Sequence, residues 1–147
     1  MAIGLLTGVG MHERPRIIVI GGGFAGLSAV RGLRAAAVDV LLIDRCNHHT
    51  FQPLLYQVAT AGLAAPSIAA PLRHILRTQR NATVILGEVC SIDIEGRSVD
   101  LDGVPHPYDF LVVATGSTHA YFGRDDWARY APGLKTLEDA LRIRARI

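Results

Sequence analysis

The chain has 147 residues, the length of one ordinary domain, and half of them are hydrophobic. Charged residues make up 19% and the formal net charge is +2, which excludes a disordered chain and gives no electrostatic argument for nucleic-acid binding. The two cysteines, Cys46 and Cys90, lack CxxC spacing and cannot form a disulfide framework, which indicates a reducing compartment. No apolar run reaches the roughly 18 residues that a membrane-spanning helix needs.

The N-terminal ten residues are apolar but lack the positively charged segment that begins a signal peptide. From Met11 onward the sequence MHERPRIIVIGGG, a charged stretch followed by an apolar run and three glycines, has the form of a natural start to a domain. We therefore expect residues 1–13 to be an N-terminal extension.

The clearest pattern is a strand, a turn, a helix and a second strand within residues 16–44. Residues 16–20 are a β-branched run, typical of a strand buried on both faces. Apolar residues then recur at helical spacing over residues 24–36, and a second apolar run, residues 38–43, ends in Asp44. This order predicts a right-handed βαβ unit with parallel strands in an α/β domain.

The middle of the chain is less regular. Residues 47–66 have no sustained period and predict a long loop with one short helix, and loops of this length are usually functional. Residues 68–76 show helical spacing, with Pro71 in the first turn. Turn signals then separate three segments that predict an antiparallel meander returning into a buried strand: residues 83–94, 98–101 and 108–114.

The last predicted helix begins at Thr136, three residues before Asp139, which is the spacing of a capping box. Apolar residues follow at helical spacing, and no Gly, Asn or Pro follows to end the helix. We therefore expect that the ancestral polypeptide continued beyond Ile147.

Gly21, Gly23 and Gly26 form the pattern G-x-G-x-x-G between the first strand and the first helix. In dinucleotide-binding folds the first glycine permits a tight turn, the second lets the backbone approach a pyrophosphate, and the third lets the helix pack against the strand. Asp44, 23 residues beyond Gly21, is near the usual distance for a carboxylate that accepts the ribose hydroxyls, and it disfavours a 2′-phosphate. The alternative is a structural glycine turn with a solvated Asp44.

Ala114, Thr115 and Gly116 end the strand that returns from the predicted meander. Small residues there let the backbone come close to a cofactor that lies across the strand ends. Without further context, an ordinary strand end is the simpler interpretation. No catalytic residue is predicted. No metal site is predicted either, because the adjacent His48 and His49 would face opposite sides of a strand.

Four segments resemble a known family: VIGGGFAGLSAVRGL, LLIDRCNHHTFQPLLYQVATAGL, YDFLVVATGS and GLKTLEDALRIR. They are similar to the N-terminal third of type II NADH dehydrogenases, which are single-subunit, non-proton-pumping NADH:quinone oxidoreductases of the two-dinucleotide-binding-domain flavoprotein superfamily. The likeness covers residues 14–147. The segment FQPLLYQVATAGL is more specific than the glycine motif, which the whole superfamily shares.

The resemblance implies a Rossmann-like FAD-binding domain, with a parallel sheet and an antiparallel β-meander, whose first βαβ unit binds FAD and not NADH. It also implies which residues contact the cofactor. These are Gly21, Gly23, Phe24, Ala25 and Gly26 at the pyrophosphate; Asp44 and Arg45 at the adenosine ribose and adenine; Gln52 and Pro53 beside the flavin; Val89, whose backbone contacts adenine; and Ala114, Thr115 and Gly116 at the strand end.

The same resemblance predicts a domain division. Residues 14–117 would be an incomplete FAD-binding domain, and residues 118–147 a connecting loop and helix that lead toward an NADH domain absent from this chain. Because family members are much longer and contain a second G-x-G-x-x-G, we expect a truncated fragment that does not oxidise NADH by itself.

The resemblance further implies that the full-length family uses NADH and quinone and is peripheral on the inner face of the cytoplasmic membrane. For this chain we expect a cytoplasmic location, and a homo-oligomer is a further expectation. Two alternatives stay open. One is another quinone-linked flavoprotein, such as a sulfide:quinone oxidoreductase, although neither Cys46 nor Cys90 is placed as its catalytic cysteines would be. The other is a nucleotide-binding fragment without turnover.

Overall fold

A four-stranded parallel sheet forms the centre of the fold. The computed structural model describes residues 14–147, so the predicted extension, residues 1–13, lies outside the described part. Within that part, nine strands form three sheets and four α-helices accompany them. No helix between residues 14 and 147 is long and apolar enough to cross a membrane.

The strands and helices follow one another in a regular chain order. The strands are β1 (Arg16–Ile20), β2 (Asp39–Asp44), β3 (His48–Thr50), β4 (Ala69–Pro71), β5 (Ala82–Leu86), β6 (Val89–Asp93), β7 (Ser98–Leu101), β8 (Val104–Pro107) and β9 (Phe110–Val113). The α-helices are α1 (Phe24–Gly32), α2 (Leu55–Ala59), α3 (Leu72–Ile75) and α4 (Leu137–Arg144), and 3₁₀ turns span Gln52–Leu54, Ala65–Ser67 and Asp125–Arg129.

The parallel sheet has the order β5-β2-β1-β9, and β1 pairs with both β2 and β9. The predicted βαβ unit with parallel strands is therefore confirmed. Helix α1 is shorter than expected, ending at Gly32 and not near residue 36. Beyond the helix, Asn81 Nδ2 donates to the carbonyls of Leu33, Ala36 and Val38, and these bonds stabilise the non-helical path of the chain there.

Alternate side chains of β1 enter two different cores, as the period of a strand requires. Ile17 and Val19 pack with the apolar residues of α1 and α3 on one face of the sheet. Ile18 and Ile20 pack on the other face against Val99 and its neighbours in the meander. The continuous apolar run of β1 is thus explained by burial on both faces.

The meander is confirmed, but its strands differ from those expected. The prediction that it returns into a buried strand is wrong, because β9 lies at the edge of the parallel sheet and leaves Phe110 and Val113 exposed. The segment 83–94 is not one strand: β5 lies in the parallel sheet, and β6 begins the antiparallel sheet β6-β7-β8. The break falls at Gly87, where an added Cβ would lie 2.6 Å from Cδ1 of Leu101. Strand β8 was missed because two prolines, Pro105 and Pro107, interrupt its apolar pattern.

The predicted helix over residues 68–76 is mostly wrong. Residues 69–71 form β4, which pairs antiparallel with β3, and α3 occupies only Leu72–Ile75. Pro71 lacks an N–H and precedes α3 as its N-cap, so helical spacing alone did not decide the structure. The short helix expected within residues 47–66 is present as α2.

Helix α4 begins with the capping box that the sequence predicts. The Asp139 N–H donates to Thr136 Oγ1 at 3.1 Å, and the Thr136 N–H donates to Asp139 Oδ2 at 3.1 Å. Ala140 in the same turn is fully buried in a third core formed with α2. Burial raises the pKa of the Asp139 carboxyl, but hydrogen bonds from Lys135 and Thr136 and the Arg142 charge outweigh it, so the pKa lies below its usual value.

Replacing Thr136 by alanine removes the side-chain acceptor at the start of α4. We expect the free energy of unfolding to fall by about 0.5–2 kcal/mol in a urea titration followed by circular dichroism. Thr118→Ala, at an exposed position, is the matched control and should leave the titration unchanged. Equal stability of Thr136→Ala and the wild type would show that the cap does not contribute.

Replacing Asp139 by asparagine removes a negative charge from the first turn of α4, and we expect a loss of about 0.3–1 kcal/mol at pH 7. The pKa of Asp139 in the folded state lies below its usual value of 3.8. The charge therefore contributes its full stabilisation to the folded protein above pH 3.8, and this stabilisation is lost as the pH falls through the folded-state pKa. In urea titrations from pH 7 to pH 3, the free energies of unfolding of the wild type and Asp139→Asn should therefore become more similar as the pH falls. Asp126→Asn is the control, since the ion pair of Asp126 with Arg124 is exposed. A stability difference between the wild type and Asp139→Asn that increased in acid would contradict the stabilising role of the Asp139 charge.

Candidate nucleotide-binding site

A cleft of about 470 Å³ lies at the carboxyl ends of the parallel strands β1, β2 and β9. Its volume falls in the range typical of small-molecule sites, roughly 300–1,000 Å³. Open α/β sheets bind ligands at this end, because the strand ends and helix N-termini meet there. The residues that line the cleft are Ile20, Gly21, Ile43, Asp44, Arg45, Gly87, Glu88, Val89, Cys90, Ser91, Ile92, Val113 and Thr115.

The glycine turn brings three backbone segments into contact beside the cleft. Gly21 has a φ of +103°, and a Cβ there would collide with the Ala114 carbonyl oxygen. A Cβ at Gly26 would collide with the Gly21 carbonyl oxygen. The turn therefore has the tight geometry and close helix–strand packing that the motif predicts.

Gly23 is different, because nothing in the described chain lies within 4 Å of a Cβ built on it. It is the N-cap of α1, with a φ of −70° that other residues also adopt. The N–H groups of the first helical turn have no acceptor within the helix, and the helix dipole favours an anion beside them. The open side of Gly23 thus offers a phosphate both space and donors.

Asp44 connects the turn to the segment that follows β2. Its Oδ2 accepts a hydrogen bond from the Gly22 N–H, and its Oδ1 accepts one from the Cys46 N–H at 2.6 Å. A carboxylate has acceptor sites for about four hydrogen bonds, so these two contacts leave capacity for a ribose hydroxyl. Neither backbone contact was predicted from the sequence.

The structure brings only some of the predicted residues to the cleft. Five line it directly: Gly21, Asp44, Arg45, Val89 and Thr115. Gly23, Phe24, Ala25 and Gly26 continue from Gly21 into α1, and Ala114 and Gly116 flank Thr115.

Gln52 and Pro53 form part of a 3₁₀ turn and are not among the residues that line the cleft. The Gln52 Nε2 donates to the Lys135 carbonyl at 3.2 Å, so this turn packs against the segment before α4. Their proposed contact with the flavin, like the cofactor contacts of the other predicted residues, stays a prediction.

Sequence reasoning missed the wall formed by β6 and a histidine behind the glycine turn. Glu88, Cys90, Ser91 and Ile92 line the cleft, but they were read as the continuation of a single long strand. His49 places Nδ1 3.0 Å from the Gly22 carbonyl oxygen, and its ring packs edge-on against Phe24 at 4.9 Å between centroids. No sequence signal predicted this contact, because it depends on the pairing of β3 with β4.

Neither Cys46 nor Cys90 forms a disulfide within the described residues. Burial raises the pKa of the Cys46 thiol, and the nearby charges of Asp44 and Glu138 raise it further, against the opposing effect of Arg45. A raised pKa keeps the thiol protonated near neutral pH and makes it a poor nucleophile. Among the described residues, no group of three or more His, Cys, Asp or Glu side chains is arranged to hold a metal ion.

Comparison with known proteins places these features in a family. The sequence profile of the pyridine nucleotide-disulphide oxidoreductases matches residues 15–147. The chain is 49% identical over 139 residues to the type II NADH:quinone oxidoreductase Ndh of Mycobacterium tuberculosis, which covers 92% of this chain and 30% of that protein. It is 27% identical over 140 residues to the type II NADH:quinone oxidoreductase of Staphylococcus haemolyticus, covering 92% and 35%.

Solved structures agree with this assignment. NDH2 from Plasmodium falciparum in complex with NADH superposes with a TM-score of 0.81 at 25% identity, covering 89% of this chain and 28% of that one. The sulfide:quinone oxidoreductase of Aquifex aeolicus gives a TM-score of 0.81 at 27% identity, covering 90% and 31%. The chain thus spans about a third of the length of the proteins it matches. The fold, the site and the profile together show that the chain belongs to the pyridine nucleotide-disulphide oxidoreductase family, and the resemblance to type II NADH:quinone oxidoreductases is confirmed.

Proposed function

We propose that this chain is the FAD-binding part of an NADH:quinone oxidoreductase. The observation that carries the proposal is the open backbone of Gly23 at the N-terminus of α1, next to a cleft at the carboxyl ends of the parallel strands. The glycines at positions 21 and 26 hold this geometry by close backbone packing. The residues therefore fit a dinucleotide whose pyrophosphate contacts the turn.

The lining residues suggest how the rest of the dinucleotide lies. Asp44 would accept from the adenosine ribose; its position in the lining of the cleft and its bond from the Gly22 N–H support this role. Val89 and the neighbouring residues of β6 form the wall along which adenine would lie, with Arg45 beside it. The flavin end would extend past Thr115, toward the side of the fold that contains Gln52 and Pro53.

The protein's role is to bind and orient the cofactor. When bound, FAD supplies the two-electron redox chemistry that connects NADH oxidation to quinone reduction. Arg45 and Asp44 give the cleft both a positive and a negative group, while Ile20, Ile43 and Val113 give it an apolar floor. This combination of apolar lining with a few polar groups is typical of cofactor sites.

The whole protein's activity and partners follow from the same proposal. We propose residues 14–117 as the FAD-binding domain and residues 118–147 as the segment that leads to an NADH domain. Helix α4 shares the third core with α2, so the proposed leading segment packs on the FAD-binding domain before it would continue to the NADH domain. NADH and quinone are the proposed substrates of the complete enzyme, at the inner face of the cytoplasmic membrane.

A sulfide:quinone oxidoreductase is the nearest rival, since one such structure superposes equally well. That chemistry requires reactive thiols. The raised pKa of Cys46 disfavours a thiolate there. The 49% identity to a type II NADH:quinone oxidoreductase, against 27% to the sulfide enzyme, also favours NADH:quinone chemistry.

The cofactor assignment predicts that the chain binds FAD in preference to NADH. Calorimetric titration of the 147-residue chain with each nucleotide, and with ADP as the shared adenylate fragment, checks this prediction. ADP should compete with FAD, because it is the adenylate part that FAD and NADH share. We expect FAD to bind more tightly than NADH, because the first βαβ unit of the family that this chain resembles holds FAD. Tight binding of NADH without binding of FAD would overturn the assignment of this domain.

The glycine turn predicts a specific loss on substitution of Gly23. Valine fits the folded chain there, since the space is open and φ is −70°, but its side chain occupies the approach of the pyrophosphate. FAD affinity should fall roughly tenfold or more, the equivalent of losing one charge-assisted hydrogen bond.

Gly32→Val is the matched control for this experiment. Gly32 lies at the other end of α1 and also has open space around it. Its variant should show the same helix content by circular dichroism and the affinity of the wild type. If Gly23→Val bound FAD as tightly as Gly32→Val, the turn would not hold the pyrophosphate.

A further inference from the structure

We infer that His49 is a positioning residue for the diphosphate: through the Gly22 carbonyl, it orients the Gly23 N–H toward the open side of the turn. The inference rests on the proposed function and adds a residue to it. His49 lies outside the G-x-G-x-x-G motif and does not line the cleft. Its imidazole contacts the turn from behind, with Nδ1 3.0 Å from the Gly22 oxygen.

Local structure holds the imidazole in this position. His49 is the middle residue of β3, where it pairs with Ala70 of β4. The Leu72 N–H donates to the Asn47 carbonyl at 3.1 Å, which closes the base of the arm formed by β3 and β4. The Phe24 ring, the first residue of α1, packs edge-on against the imidazole. The arm and the helix thus fix the ring from two sides.

Planarity of the peptide bond transmits this contact across the turn. The chain contains no cis peptide bond in its described part, so the Gly22 carbonyl and the Gly23 N–H point in opposite directions within one plane. A donor that holds the carbonyl on the buried side therefore holds the N–H on the other side. Gly23 itself is exposed, and nothing in the described chain lies within 4 Å of a Cβ built on it, so there is room for a ligand at this residue.

The turn needs such a restraint because three consecutive glycines have wide conformational freedom. Asp44 restrains the preceding peptide by accepting from the Gly22 N–H. His49 restrains the following one. Gly22 itself is buried, and a Cβ there would lie 2.6 Å from Cδ1 of Leu72. Two side chains from outside the motif thus fix two successive peptide planes.

The test compares His49→Leu with His49→Asn in the full 147-residue chain. Leucine matches the branching of asparagine but has no donor, whereas the asparagine amide can donate from a position close to that of Nδ1. We expect His49→Leu to bind FAD and ADP about three- to tenfold more weakly, and His49→Asn to retain most of the affinity. Adenosine, which has no phosphate, should bind all three proteins equally.

His48→Leu is the control, because His48 precedes His49 on β3 and its side chain points to the opposite face. A second readout follows the Gly23 amide by ¹H–¹⁵N NMR during ADP titration. We expect a downfield shift in the wild type and in His49→Asn, and a smaller one in His49→Leu. If His49→Leu does not fold, His49→Ala replaces it in both measurements.

The outcomes separate this inference from the proposed function. If the wild type binds neither FAD nor ADP, both fail. If the wild type binds FAD and His49→Leu binds it equally well, the positioning role of His49 alone is overturned. A parallel loss of adenosine binding in His49→Leu would also overturn it, because general damage to the cleft would then explain the result.

Discussion

Direct contact between backbones at the glycine turn is the constraint on which the rest of this structure depends. Gly26 of α1 lies against the Gly21 carbonyl, and Gly21 lies against the carbonyl of Ala114 after β9. A side chain at Gly21 or Gly26 would separate the helix from the strands and displace the helix N-terminus from the strand ends. The cleft exists where it does because these elements meet without intervening side chains.

The cleft also depends on the way the chain leaves the parallel sheet. After β5 the backbone turns at Gly87, whose N–H donates to the Asp44 carbonyl at 3.0 Å, and β6 then forms a wall beside the strand ends. The meander covers one face of the sheet with Val99 and Leu101, while α1 and α3 cover the other. The packing that buries β1 on both faces therefore also builds the side of the candidate adenine site.

The segment between β2 and β5 connects the site to the rest of the fold. Its β3–β4 arm brings His49 to the glycine turn, and its helix α2 forms the third core with Ala140 of α4. The capping box at Thr136 fixes the start of α4 at this core. The same segment thus contacts both α4 and the glycine turn.

Local patterns in the sequence determined the βαβ unit, the glycine turn, the capping box and the presence of an antiparallel meander, but not the bounds of its strands. Strand β1 is one example: its β-branched run and the glycines after it allow few other structures. Gly21, Asp44 and Thr115 could be named as site residues for the same reason, since the carboxyl ends of parallel strands meet at one edge.

Only the tertiary structure determined the features that depend on pairing between segments far apart in the sequence. Residues 69–71 have helical spacing but form β4, because His49 and its neighbours offer a strand partner. The single apolar run 83–94 divides at Gly87, because β5 finds a parallel partner in β2 and β6 an antiparallel one in β7. The His49–Gly22 contact, across 27 residues, likewise has no local signal. Periodicity describes which face of an element is apolar, but hydrogen bonding between distant segments selects the partner that covers it.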